Sequence, residues 1–109
     1  MNFREYEKQS RKTAIYPMEY KVVYPMIGLS GEVGEVAEKI KKQIRDKKSD
    51  FKDKEFKKKV SHEISDVLWY IANLAYDLEI DLQDCAEYSI KKLESRMKRN
   101  KLRGNGDER

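Results

Sequence analysis

Two pairs of acidic residues with the same spacing are the part of this sequence best suited to chemistry. Glu32 and Glu35 are three residues apart, and so are Glu63 and Asp66. In an α-helix this spacing places two side chains one turn apart and about 60° around the axis. Carboxylates that converge from two facing helices can hold a hard divalent cation, which suits phosphate chemistry. Acids are common on ordinary helix surfaces, so the repetition on two helices is what favours a site.

Two glycines beside Glu32 sharpen this interpretation. Gly31 and Gly34 lie inside the same predicted helix, and each glycine costs a helix interior about 1 kcal/mol relative to alanine. Their presence indicates that another helix or a ligand approaches the backbone closely. Tight helix packing without a ligand explains them equally well.

Both acid-bearing helices also carry an apolar stripe next to their acids. The stripe of the earlier helix contains Leu29, Val33, Val36, Ile40 and Ile44, and that of the later helix runs from Phe56 to Leu78. We expect the two stripes to pack antiparallel, which would bring the acidic edges together beside the seam.

A polar and aromatic group lies nearly opposite the stripe of the later helix. It contains His62, Trp69, Asn73 and Tyr76. Large aromatic side chains on a nominally exposed face indicate that something covers them. We expect another subunit as the cover, with a nucleotide base as the alternative. His62 is interpreted as a structural or interface residue, because a chain with one histidine and one cysteine offers no zinc site.

Length and composition predict one small helical domain over residues 1–109. Charged residues make up 40% of the chain, and the net charge is only +4 because 20 acids balance the lysines and arginines. Nucleic acid is therefore not expected as a partner. The single cysteine, Cys85, is expected to be a small core residue in a reducing cytoplasm. The sequence shows no signal-peptide pattern and no apolar run of membrane-spanning length.

The pattern predicts four helices and no strands. The first covers Asn2 to Thr13, and Pro17 and Pro25 mark a broken entry into the second, which ends near Ile44. Ser49 or Asp50 is expected to cap the third helix, which begins near Asp53 and ends near Leu78. Asp81 is expected to cap the fourth, which extends toward Lys101. The fold class is thus all-α, with an antiparallel hairpin at its core.

These motifs resemble a known family. The segment Gly28–Glu38, which contains the first acidic pair, and the segment Glu63–Tyr70, which contains the second, resemble the MazG-type nucleotide pyrophosphohydrolases. That family belongs to the all-α nucleoside triphosphate pyrophosphohydrolases and shares an ExxE…ExxD signature. The ending from Lys92 to Arg109 is similar to that of short, single-domain phage and bacterial members. The resemblance implies a four-helix protomer. The Trp69/Tyr76 face and the small core of a single chain predict that it oligomerises through its helix faces as a homodimer or homotetramer.

The resemblance also implies roles for individual residues. Glu32, Glu35, Glu63 and Asp66 would bind Mg²⁺, with Mn²⁺ able to substitute. Glu35 or Glu38 would take a proton from the attacking water. The expected substrate contacts are Tyr70 in the nucleotide pocket and, on the fourth helix, Lys92 and Arg96, which are expected to face the acids and bind phosphates. From its place on the acidic edge of the earlier helix, Lys39 is expected to contact a phosphate or to balance the acids.

The implied activity is Mg²⁺-dependent hydrolysis of (deoxy)nucleoside triphosphates to a monophosphate and pyrophosphate. Its expected role is the removal of unwanted nucleotides from the cytoplasmic pool. The alternative is a non-catalytic helical oligomer, acting as a regulatory or nucleic-acid-binding module, in which the acids merely frame a helix seam.

Overall fold

The computed structural model describes residues 1–109 and contains four α-helices and no strand. The predicted all-α class is therefore confirmed. Short 3₁₀ turns over Arg11–Thr13 and Met18–Tyr20 lead from the first helix into the second, where the prolines predicted a broken entry. The helices are α1 (Phe3–Ser10), α2 (Val23–Lys47), α3 (Lys54–Asp77) and α4 (Leu82–Lys98).

Aspartate and asparagine side chains start three of these helices. Asn2 accepts a hydrogen bond from the Glu5 amide at 2.8 Å, and Asp81 accepts one from the Gln83 amide at 2.9 Å. Such caps satisfy amides that have no partner within the helix. The predicted cap Asp81 is confirmed.

The predicted cap of α3 was wrong. Asp53 itself accepts a hydrogen bond from the Glu55 amide at 2.9 Å. Ser49 and Asp50 instead belong to the turn that closes α2 onto α3. Lys48 and Ser49 have φ angles of 52° and 61°, and the Gln43 side chain donates to the Asp50 carbonyl at 2.7 Å.

Helices α2 and α3 form the expected antiparallel hairpin, but its seam lies elsewhere on α2 than predicted. The buried and half-buried residues of α2 include Pro25, Gly28, Glu32, Val36, Lys39 and Gln43. The seam therefore runs through the first acid of the pair. Val33 and Ile44 of the predicted stripe are 52% and 53% exposed, as is Ile64 of α3 at 53%. The expectation that the two apolar stripes pack on each other was wrong for these residues.

The N-terminal segment covers the polar and aromatic face of α3. The Trp69 indole donates to the Thr13 hydroxyl at 2.9 Å, and the fully buried Asn73 accepts from Arg11 at 3.1 Å. The Arg11 guanidinium also lies over the Tyr76 ring, 4.4 Å from its centroid. The chain itself thus covers Trp69 and Asn73, where a second subunit was expected, while His62 and Tyr76 stay exposed. A second subunit on the exposed part of this face stays a prediction.

Asp77 fixes that segment to the end of α3. The Tyr16 hydroxyl and the Val22 amide donate to Asp77 Oδ2 at 2.6 and 3.0 Å, and Arg11 Nη1 lies 2.9 Å from Oδ1. Burial raises the pKa of Asp77, but the two hydrogen bonds and the Arg11 charge more than offset this, so the pKa lies below its usual value. Val22 has a φ of 70°, which is strained for a β-branched residue. The hydrogen bond from its backbone amide to Asp77 helps to hold it in this conformation.

The protomer is open, with few buried residues. Ten of 109 residues are buried, and the radius of gyration is 17.0 Å, where a compact domain of this length has about 13 Å. The small core joins Ala72, Ala75 and Leu82. Cys85 is exposed, so its prediction as a core residue was wrong. None of the helices is long and apolar enough to cross a membrane.

Candidate functional site

Three of the four predicted acids meet at the centre of the hairpin. One carboxylate oxygen each of Glu32, Glu63 and Asp66 lies within 4.8 Å of the others. Glu32 and Glu63 are half-buried in the seam, whereas Asp66 is exposed. We call these three residues the acidic cluster. An all-oxygen donor set of this kind matches what Mg²⁺, Mn²⁺ or Ca²⁺ requires.

The electrostatics of the acidic cluster are those of crowded like charges. Burial raises the pKa of Glu32, and the charges of Asp66 and Glu63 raise it further. The neighbouring cation is Lys39, whose Nζ lies 3.4 Å from Glu63 Oε1. Lys39 therefore lies at the edge of the acidic cluster, where the sequence predicted it. A divalent cation would relieve the remaining repulsion among the three acids.

Glu35 is outside the three-residue cluster. It is exposed and lines an adjacent cleft of about 710 Å³. Its charge still contributes to the raised pKa of Glu32. Four lysines also line this cleft: Lys39, Lys42, Lys47 and Lys59. Sequence analysis missed this group of lysines, although the spacing of Lys39, Lys42 and Lys47 predicts that they lie on one side of α2.

Glu38 takes part in ion pairs away from the acidic cluster. Its carboxylate lies 2.6 Å from Lys41 Nζ and 4.0 Å from Lys42 Nζ. The hydrogen bond from Lys41, together with its charge, lowers the pKa of Glu38. Of the two predicted bases, Glu38 is thus the one paired with lysines, and Glu35 is the one whose charge acts on the acidic cluster.

An aromatic surface adjoins the acidic cluster on the side toward the start of α2. The Tyr70 ring packs directly against the α2 backbone at Gly28. Trp69 meets it edge-on with ring centroids 5.0 Å apart. Burial raises the pKa of Tyr70, and the charges of Tyr24, Glu32 and Asp66 raise it further. Tyr70 is thus close to the acidic cluster, as a nucleotide-lining residue would need to be.

Tyr24 and Gly28 were missed by sequence analysis, although a signal for them exists. Tyr24, Gly28 and Glu32 are spaced four residues apart, so they follow one face of α2. Tyr24 also stacks on Tyr16 with centroids 4.9 Å apart.

Lys92 and Arg96 contact the C-terminal tail within the protomer. Lys92 Nζ lies 2.9 Å from the Asp107 carboxylate in the C-terminal tail, and the buried Arg96 donates to the Asp107 main-chain carbonyl. Helix α4 packs on α1 and α3 rather than on α2. The orientation of these two residues toward the acids and their contact with phosphates stay predictions.

Comparisons with known proteins identify the family of the chain. The sequence pattern of the MazG nucleotide pyrophosphohydrolase domain matches residues 25–100, well over half of the chain. The chain belongs to the MazG family. The residues matched to MazG include the acidic cluster, the Gly28–Tyr70 contact, Lys92 and Arg96, and exclude the tail with Asp107.

A phage protein is related to the chain over nearly its whole length. It is the Gene 37 protein of Mycobacterium phage L5, 36% identical over 110 residues, with 95% of this chain and 96% of the phage protein covered. No solved structure matches the chain significantly.

Proposed function

We propose that this MazG-family protein is a Mg²⁺-dependent pyrophosphohydrolase of (deoxy)nucleoside triphosphates. The observation that carries the proposal is the acidic cluster, in which Glu32, Glu63 and Asp66 converge within 4.8 Å from two facing helices. Three clustered acids alone are common on helix surfaces. This cluster lies in the seam, inside the region that matches MazG, and it adjoins an aromatic surface.

The donor set fits a hard divalent cation. Glu32, Glu63 and Asp66 would hold it, with Glu35 as a further ligand or as the base, and Mn²⁺ could replace Mg²⁺. The pKa of Glu32, raised by burial and by its acidic neighbours, supports a site whose charge is incomplete without a cation. When bound, the cation neutralises the phosphates, orients them and makes water more acidic.

Single side chains would bind the phosphates, bind the nucleoside and accept the proton. Lys39, which joins the acidic cluster to the lysine-lined cleft, would contact the phosphate chain. Tyr70 would contact the nucleoside. Glu35 would accept a proton from the attacking water, whose oxygen bonds to the α-phosphorus. The bond from the α-phosphorus to the bridging oxygen then breaks, and pyrophosphate leaves with the nucleoside monophosphate as the second product.

The protomer also supports assembly into a homodimer or homotetramer. Val33, Ile44 and Ile64 expose more than half of their surface beside the seam, and a chain this open gains burial from a second copy. If Lys92 and Arg96 contact phosphates, the α4 that reaches the acidic cluster would come from another copy. The Asp107 contacts of these cations would then have to loosen. A cytoplasmic location stays a prediction.

The test measures pyrophosphate release from a panel of ribo- and deoxyribonucleoside triphosphates, with and without Mg²⁺. We expect equimolar pyrophosphate and monophosphate with Mg²⁺ or Mn²⁺, and none with chelator. Release of orthophosphate would instead indicate attack at the γ-phosphorus. An inactive protein that also binds no nucleotide would support the non-catalytic oligomer.

A further inference from the structure

Among the glycines of α2, Gly28 alone has a neighbour in the place of its missing side chain. A Cβ atom at Gly28 would lie 2.6 Å from Tyr70 Cδ1 and still closer to Cε1 and Cζ. At Gly31 and Gly34 a Cβ atom would meet nothing within 4 Å. The absence of a side chain at residue 28 is therefore what lets the Tyr70 ring lie on the helix backbone.

The contact has a fixed place relative to the acidic cluster. Gly28 precedes Glu32 by one turn of α2, and Tyr70 follows Asp66 by one turn of α3. Because the two helices run antiparallel, both spacings lead away from the acids in the same direction. The Tyr70 ring thus lies one turn from the acidic cluster.

The ring has little room to yield. Tyr70 is half-buried, and the Trp69 indole meets it at 89° with centroids 5.0 Å apart. Trp69 is itself held by its hydrogen bond to Thr13. A methyl group at residue 28 would have to turn the Tyr70 ring outward or separate the two helices at this level.

We propose that Gly28 is a positioning residue, which seats Tyr70 as an aromatic wall for the nucleoside part of the substrate. The inference rests on the proposed function, because it assigns the phosphates to the acidic cluster. An aromatic face stacks on any base. The wall would therefore separate nucleoside triphosphates from inorganic polyphosphates, with little preference among bases.

The test compares Gly28→Ala, Tyr70→Leu and the double variant with the wild type. Steady-state kinetics give kcat and KM for deoxynucleoside triphosphates, and inhibition by inorganic tripolyphosphate reports on the phosphate half of the site alone. We expect each single variant to raise KM about tenfold, with kcat and tripolyphosphate inhibition changed less than about twofold. The double variant should lose no more than either single variant, because both act on one contact.

Thermal unfolding adds a readout that does not need activity. Gly28→Ala should lower the melting temperature, and Tyr70→Leu in the same chain should restore part of the loss by making room for the methyl group. Gly31→Ala is the matched control, since the same change on the same helix meets no atom. It should leave the melting temperature equal or higher.

Each outcome bears on a different claim. An active wild type with an unchanged KM in Gly28→Ala overturns the positioning role and leaves the proposed function intact. Additive losses in the double variant, or an equal loss of tripolyphosphate affinity, also overturn it. A wild type that neither hydrolyses nor binds nucleotides overturns the proposed function and this inference together.

Discussion

Helix α3 carries two carboxylate sites that differ in how their charge is balanced. At its end, Asp77 accepts hydrogen bonds from Tyr16 and Val22 and faces Arg11, so its pKa is lowered. About three to four turns earlier, Glu63 and Asp66 meet Glu32, and the pKa of Glu32 is raised. The first site holds the chain together, whereas the second brings like charges together with Lys39 as the neighbouring cation.

The difference shows how a structural acid can be told from a functional one. A carboxylate that stabilises the fold is matched by donors of its own chain. A carboxylate kept for function is left in repulsion that costs stability until its ligand binds. Removing one acid from each site should therefore have opposite effects on stability and on activity.

The largest effect is expected for Asp66→Asn in the acidic cluster. Losing one proposed metal ligand should lower turnover by about a hundredfold or more. In metal-free buffer its melting temperature should equal or exceed that of the wild type, because repulsion is relieved. Added Mg²⁺ should stabilise the wild type according to its occupancy and the variant much less. Pyrophosphate release measures the turnover, and thermal unfolding measures the two effects on stability. Equal activity in the two proteins would mean that the acidic cluster has no catalytic role and only borders the helix seam.

The next largest effect is expected for Asp77→Asn. The amide keeps the shape of the side chain but loses the charge that faces Arg11, so the free energy of unfolding should fall by about 2 kcal/mol. Stabilisation by Mg²⁺ should remain as in the wild type. Denaturant unfolding measures the first quantity and melting with added Mg²⁺ the second. A variant as stable as the wild type would contradict the structural role of Asp77.

Acid should remove both the stabilisation by Asp77 and the repulsion at Glu32, since each depends on an ionised carboxylate. The lowered pKa of Asp77 means that its stabilisation is present above the unfolded value of about 3.9 and is lost as pH falls through the folded value. The raised pKa of Glu32 means that its ionised form destabilises the metal-free protein above the folded value, and this cost is gone below about 4.3.

Unfolding curves between pH 7 and pH 3 in chelator test these signs. Glu32→Gln should be more stable than the wild type at pH 7 and Asp77→Asn less stable, and both differences should shrink toward pH 3. Differences that grow in acid would reverse the assignment.

The smallest effect is expected for Asp107, a third carboxylate that is matched by cations but remains exposed. Its side chain is 70% exposed beside Lys92, and ion pairs at the surface contribute little to stability. Asp107→Ala should therefore leave the melting temperature nearly unchanged. If the tail competes with phosphates for Lys92 and Arg96, its loss should lower KM, by about twofold at most. A higher KM would instead make the tail part of the substrate site.

Local signals made the helices and part of the site predictable. Periodicity gave the four helices, and Asp81 as the cap of α4 follows from the preference of aspartate for that position. The ExxE and ExxD spacings indicated Glu32, Glu35, Glu63 and Asp66, and the structure brings all of them but Glu35 together. Their metal-binding role stays a prediction.

The errors concern long-range packing, which one sequence does not encode locally. Periodicity identifies an apolar stripe but not the neighbour that covers it, so Val33 and Ile64 were expected in a seam that runs beside them. Trp69 and Asn73 were assigned to an interface because no local pattern indicates that residues 10–16 fold back over them. The orientation of Lys92 and Arg96 is open for the same reason, since it depends on where α4 packs.

The one-turn offset between the acidic cluster and the Gly28–Tyr70 contact gives the site a length scale. One turn of helix advances about 5.4 Å along the axis, roughly the span that a sugar places between a base and its first phosphate. If the base rests on Tyr70, the acids meet the phosphate nearest the sugar, however many phosphates follow it. The hairpin would then fix the distance from the base to the reacting phosphate. The register in which the two helices pack would thereby decide which phosphoanhydride bond is cut.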